Sequence, residues 1–293
     1  MTLSGLMLVT MSACSGTDSA KTDSGSSGST APDSAQQEEQ SQKPETPVNE
    51  YTIHDEVVFE NDVIKVTLTD VENTGKTIDF GFEAVNKSSN PDHPLVAIGN
   101  LTANGWGCYS QSFAENVSAG ETKTGKVSVM TDYLKMSGIE TIDQLLMAIV
   151  VDMDTYYVTV YPTGKQESDI VIPERKKTAS EAVLLDNEEC TVVALDVTKE
   201  QDGNRFELYM ENKNPTDGRW FRIPSVLVNG KTFENYDLGA SLCPGTKAYY
   251  PFIYISDADL SAAGINEIEE ISFDLLVTGS TYEQEETLTY KVK

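Results

Sequence analysis

Two arginines flank two aromatics at Arg219-Trp220-Phe221-Arg222, directly after the turn-forming run Asn214-Pro215-Thr216-Asp217-Gly218. Arg and Trp are the side chains that most often carry binding energy at interaction surfaces, and an indole can stack on the flat face of a sugar ring. Successive side chains of a strand point to opposite faces, so Trp220 and Phe221 cannot both face outward, and one of them is expected in the core. Arg219, Trp220 and Arg222 are therefore the candidate ligand-binding residues. Trp106, beside Asn104-Gly105, is a second aromatic of the same kind.

Catalytic chemistry finds little to work with. The chain has two histidines, His54 and His93, and neither stands in a pattern with a serine, a cysteine or a metal-ligand spacing. A Ser-His-Asp or Cys-His site is thus not expected, and no phosphate loop, HExxH or CxxC occurs. Carboxylates are abundant enough that folding could bring two of them to glycosidase separation, although solvated acidic faces account for the same residues. Asp152-x-Asp154, Asp257-x-Asp259 and Asp196 with Asp202-Gly203 offer the oxygen ligands that calcium prefers. None completes an EF-hand spacing, and Asp257 fits a helix cap, so no metal ligand, catalytic residue or cofactor is assigned. Cys108, Cys190 and Cys243 are not matched between the two copies described below, which points to buried thiols; a private Cys190–Cys243 bridge is the alternative.

The start of the chain carries a different chemistry. Residues 3–11 (LSGLMLVTM) are apolar but too few to cross a bilayer as a helix, which needs about 20 residues, and they have the size of a signal-peptide core. Ser12, Ala13 and Cys14 follow, with Met11 where leucine is usual. This resembles the lipobox of bacterial lipoproteins. The resemblance implies that residues 1–13 are a signal, that Cys14 receives a diacylglyceryl group, and that the protein is anchored at the extracellular face of the cell membrane. Residues 14–50, almost devoid of large apolar side chains, are expected to form a disordered tether. A flexible linker of that length has a span of roughly 30–36 Å and a reach of roughly 120 Å.

The rest of the chain is written twice. At a shift of 126, Glu60-Asn61-Asp62 meets Asp186-Asn187-Glu188, Asp70-Val71 meets Asp196-Val197, Phe80 meets Phe206, and Asn86-Lys87 meets Asn212-Lys213. After a one-residue slip Asn104-Gly105 meets Asn229-Gly230. The shift of 126 then returns, pairing Gly138-Ile139 with Gly264-Ile265 and Tyr156 with Tyr282. The boundaries read as module one at 51–164, a connector at 165–180 and module two at 181–293. With its Pro173 and charged run, the connector is expected to be solvated.

Within each copy the apolar pattern has the period of strands, as in Ile78 to Val85, and Leu145 to Val151 is a continuous apolar run suited to a strand buried on both faces. Asn-Gly, Asp-Gly and Pro-Gly pairs separate these runs. Asp132 to Gly138 and Asp257 to Gly264 read as short helices, each capped by Asp and ended by Gly. The class is all-β, two tandem immunoglobulin-like β-sandwiches each with a short crossing helix. The order of signals in copy two (Asn212-Lys213-Asn214, Val228-Asn229-Gly230, Pro244-Gly245-Thr246-Lys247, Asp257 to Leu260, Gly264-Ile265) resembles the uncharacterised immunoglobulin-like domains of Gram-positive surface lipoproteins. Copy one keeps Asn86-Lys87-Ser88, Ala103-Asn104-Gly105, Ala119-Gly120 and Gly138-Ile139. These motifs are turns and caps, and the resemblance implies a fold without an activity.

The formal charge of −26 is spread as −5 over residues 1–50, −10 over module one, +1 over the connector and −12 over module two. Both modules would repel nucleic acid and anionic lipid surfaces. The expected function is a lipid-anchored, non-enzymatic module for binding, adhesion or envelope assembly, meeting an extracellular protein or glycan. An accessory or inhibitory lipoprotein acting on a secreted enzyme or transporter is one alternative, and a carboxylate-dependent carbohydrate-active enzyme another.

Overall fold

The computed structural model describes residues 51–89, 94–108, 110, 112–233 and 238–292. The signal, Cys14, the tether and His93 lie outside the described residues. Strands dominate. The first copy contains β1 (Glu56–Glu60), β2 (Ile64–Asn73), β3 (Thr77–Asn86), β4 (Leu95–Ala103), β5 (Trp106–Gly107), β6 (Phe113–Asn116), β7 (Thr122–Met130), β8 (Leu145–Val151) and β9 (Asp154–Val160), with α1 (Thr131–Met136) between β7 and β8. The second contains β10 (Ala182–Asp186), β11 (Cys190–Lys199), β12 (Gly203–Asn212), β13 (Arg219–Val228), β14 (Lys231–Phe233), β15 (Leu238–Leu242), β16 (Lys247–Ser256), β17 (Glu270–Thr278) and β18 (Glu283–Lys291), with α2 (Asp257–Ala262) between β16 and β17.

The two copies share one strand order. Antiparallel runs β1-β2-β3-β7 and β10-β11-β12-β16 form one layer of each. In the other layer β4 pairs with β5, β6 and β8, and β8 with β9, just as β13 pairs with β14, β15 and β17, and β17 with β18. Irregularities of register recur at the shift of 126: Val57/Phe59 and Val183/Leu185 in the first pairing, Leu68/Asp70 and Ala194/Asp196 in the second. A bulge re-aims the strand beyond it, so its repetition means that the two copies bend alike.

Alternation places Ile78, Phe80, Phe82 and Ala84 of β3 inside the first core and Phe206, Leu208 and Met210 of β12 inside the second. Phe206 meets Phe273 edge-on at 6.1 Å and Tyr290 at 5.4 Å across the layers of copy two. The Leu145–Val151 run is buried along nearly its whole length, as a strand apolar on both faces requires. Each helix is six residues long and ends as expected: Gly138 N–H donates to the Lys135 carbonyl and Ile139 N–H to that of Leu134, with Gly264 and Ile265 repeating the pattern. The Asp caps are corrected. Asp132 and Asp257 lie in the first turns; α2 is capped by Ser256, whose hydroxyl accepts from Asp259 N–H, and α1 follows Met130 with no side-chain cap.

The copies do not hang as separate beads, because the described residues of both fall in one compact unit. Lys247 of β16 pairs in parallel with Trp106 of β5, joining β4-β8-β9 to β10-β11-β12-β16 as one nine-stranded sheet. Val193, Leu195 and Tyr209 of copy two belong to the apolar cluster of copy one. The connector is mostly exposed, as expected, but Pro173 and Arg175 are half-buried at this junction. Pro173 accepts a hydrogen bond from the Trp106 indole at 2.9 Å, and Arg175 pairs with Glu181 at 2.5 Å while lying 4.8 Å from the centre of the Tyr209 ring.

Candidate functional site

The strand that carries the Arg-Trp-Phe-Arg cluster is set in place at its first residue. Asn214 Oδ1 accepts from the backbone of Thr216 and Asp217 at 3.0 and 2.8 Å, closing the turn that leads into β13. Asp217 Oδ2 then accepts from Arg219 at 2.6 Å and from both the backbone and the hydroxyl of Ser280 at 2.9 Å. The second guanidinium nitrogen of Arg219 donates to Glu189 at 2.5 Å, and the guanidinium lies 5.0 Å from the centre of the Tyr282 ring. Three turns are thereby tied to one cation. The Arg219 side chain is 2% exposed, so its assignment as a ligand contact is corrected: its charge is spent on positioning β13. These contacts fix the carboxyls too. The Arg219 hydrogen bond holds Glu189 below the usual range; for Asp217 burial pushes upward, but the Ser280 and Arg219 hydrogen bonds outweigh it and the net direction is down.

Beyond that anchor, alternation does the rest. Phe221 is fully buried, whereas Trp220 and Arg222 are half-buried on the outer face of their sheet. The Arg222 guanidinium sits 5.8 Å from the centre of the Trp220 ring. Trp220 is paired with Ser241 of β15 and Thr278 of β17, and Arg222 with Gly239 and Leu276. A Cβ on Gly239 would lie 2.7 Å from the indole nitrogen and 3.4 and 3.6 Å from Cε2 and Cζ2. Gly239 lies within β15, outside the positive-φ glycines, so it is the indole resting on it, and not the backbone, that excludes a side chain. Glu283 and Glu285 of β18 stand opposite Thr278 and Leu276, exposed on the same face. Sequence reasoning found Trp220 and Arg222 but missed Gly239, Thr278 and the two glutamates, which reach the face only through strand pairing.

Copy one has no such surface. Its register places Leu95 where Trp220 stands, Ala97 in place of Arg222 and Ala114 in place of Gly239. The other aromatic candidate, Trp106, is fully buried: it stacks on Tyr249 at 4.9 Å, meets Tyr209 edge-on at 6.0 Å and has the Lys247 ammonium 4.8 Å from its ring centre. Its role as a binding residue is thus corrected to one of joining the copies.

The remaining candidates are dispersed. His54 is exposed. Asp152 accepts from Leu95 N–H, Asp196 from Val197 N–H, Asp202 from the Tyr254 hydroxyl, and Asp257 pairs with Lys199. Among the described residues no group of three or more His, Cys, Asp or Glu side chains is placed to hold a metal ion. Cys108, Cys190 and Cys243 are free thiols. Burial pushes them up to about 12, 11 and 12, which leaves almost no thiolate at neutral pH. A depression of about 450 Å³ beside α1, bordered by Ile78, Leu134, Lys135 and Glu140, brings no nucleophile to a base. No described helix is long and apolar enough to cross a membrane.

No family model matches this chain, and no curated protein matches it. Solved structures resemble it weakly. A conserved domain protein from Bacillus anthracis aligns over 83% of this chain and 92% of its own at 10% identity and a TM-score of 0.28. Red sea bream transglutaminase aligns over 80% of this chain and 32% of its own at 11% identity and a TM-score of 0.24. A β-glucuronidase from Parabacteroides merdae aligns over 75% and 28% at 9% identity and a TM-score of 0.23. Scores of this size carry nothing on activity or ligand.

Proposed function

We propose that this chain is a non-enzymatic binding protein held by a lipid on Cys14 at the extracellular face of a bacterial membrane, of the kind found among Gram-positive surface lipoproteins. One observation carries the binding role: Trp220 and Arg222 stand half-buried on the outer face of a sheet in copy two, on a strand held in place by the buried Arg219 guanidinium between Asp217 and Glu189. A recognition surface benefits from side chains that lose little freedom on binding, and this strand is ordered before any ligand arrives. Copy one lacks the Trp-Arg pair, so the binding role belongs to copy two.

Binding is tested by crosslinking and pulldown on intact cells, comparing the native chain with a Trp220→Ala, Arg222→Ala double variant. Loss of the captured material in the variant is expected; unchanged capture would overturn the assignment of the face. Anchoring is tested separately. Cys14→Ser is expected to shift the protein from the membrane fraction to the medium, and mass spectrometry of the native N-terminus to find a diacylglyceryl-modified cysteine.

A further inference from the structure

The ligand class can be argued from what surrounds the indole, on the footing of the binding role proposed above. The ring lies against Gly239, at a mid-strand position where any larger side chain would lift it off the sheet. The face is therefore shaped to present a flat apolar surface rather than a projecting knob. Hydroxyls flank that surface along its own row, from Ser241 on one side and Thr278 on the other. Arg222 lies on the neighbouring row with its guanidinium 5.8 Å from the ring centre, and Glu283 and Glu285 stand two strands away on β18, beyond Thr278 and Leu276.

This set selects by exclusion. A polyanion or acidic sugar would approach two exposed glutamates on a module of net charge −12, and like-charge approach costs free energy at close range. A cationic ligand would have to displace the Arg222 guanidinium, which already lies over the ring. An apolar protein partner would need a wide apolar patch, whereas the indole is bordered by Ser241, Thr278 and Arg222, with Leu276 as one apolar neighbour on the next row. What remains is a ligand with an apolar flat face, no net charge and a rim of hydroxyls able both to accept from a guanidinium and to donate to carboxylates. A hexopyranose ring has that form. We propose that the Trp220 face of copy two binds neutral hexose units of a glycan, one site per chain, with the ring stacked on the indole and its hydroxyls held by Arg222, Thr278 and Glu285.

The test is affinity electrophoresis of the full chain through gels containing a neutral glucan, mannan or galactan, with polygalacturonate and heparin as polyanionic controls. Retardation by at least one neutral polysaccharide and by neither polyanion is expected. Trp220→Ala should weaken it roughly tenfold, as loss of one stacked aromatic contact predicts. Gly239→Val leaves every polar group in place but tilts the indole, and should weaken it similarly. Leu95→Ala, at the matching position of copy one, should not change it. Melting temperatures of the variants separate loss of binding from loss of fold. Retardation by polyanions alone, by no polysaccharide, or by a neutral polysaccharide equally in native and Trp220→Ala chains would overturn the inference. If a protein were captured from cells in a Trp220-dependent way with no polysaccharide bound, the ligand class would fall while the binding role stood. Trp220-independent capture would overturn both.

Discussion

Two asparagines in each copy perform matching polar tasks. Asn104 and Asn229, with φ of 43° and 48°, each precede a glycine in a two-residue hairpin turn. Asn104 Oδ1 accepts from the backbone of Asp143 and Gln144, and Asn229 Oδ1 from that of Glu269 and Glu270. Asn86 and Asn212 are buried and reach across to carbonyls of the opposite layer, Val117 in one copy and Cys243 in the other. Asn212 also donates to the carbonyl of Asp217. Replacing Asn212 by Ala should cost about 3 kcal/mol, and Asn86 by Ala about 2 kcal/mol, because buried backbone groups lose their partners; chemical denaturation measures both. Arg219→Met should cost about 2–3 kcal/mol, less than a fully buried pair because Glu189 is 33% exposed. That loss should shrink in acid. Glu189 and Asp217 titrate below their ordinary values of 4.5 and 3.8 when folded, so their contribution is complete above those values and is lost as pH falls through the lowered folded ones. The difference in melting temperature between the native and Arg219→Met chains should therefore hold above pH 4.5 and narrow below it.

Strands and turns could be read from the chain because their causes are local: alternation, β-branching and Asn-Gly pairs speak for the residues that carry them. The duplication could be read as well, and the repeated asparagines explain why it survives as turns rather than as surface. The helix starts were misplaced by one or two residues. Asp is a favoured cap, but in α2 the hydroxyl of Ser256 already fills that role, and the acids occupy the first turn where negative charge is also favoured. Ser256→Ala should accordingly lower stability by about 1 kcal/mol, read as a shift in denaturation midpoint; Asp257→Ala should lose less. The candidate face was half readable. Its outward-facing pair follows from period-two alternation on β13, but Gly239 and the glutamates reach it only by pairing with β15 and, through β17, β18, which no local pattern specifies.

The junction lay beyond sequence reasoning for the same reason on a larger scale, since Trp106 and Lys247 meet across about 140 residues. There an indole is closed between Tyr249, Tyr209 and Lys247 and hydrogen-bonded to the connector. Trp106→Ala removes a fully buried aromatic and should cost about 3–5 kcal/mol. Calorimetry is the discriminating measurement. The native chain should unfold in one transition spanning both copies, and the variant in two.

The continuous sheet has a bearing on how the protein could be taken apart. A domain that evolves by duplication is ordinarily a portable part, free to be copied again, shuffled or expressed alone. Here Lys247 at the start of β16 pairs with Trp106, and Val193, Leu195 and Tyr209 of copy two pack into the apolar cluster of copy one. Cut at the repeat boundary, copy two would expose that apolar face to water, a patch prone to self-association. The gene was doubled, yet the product has become indivisible.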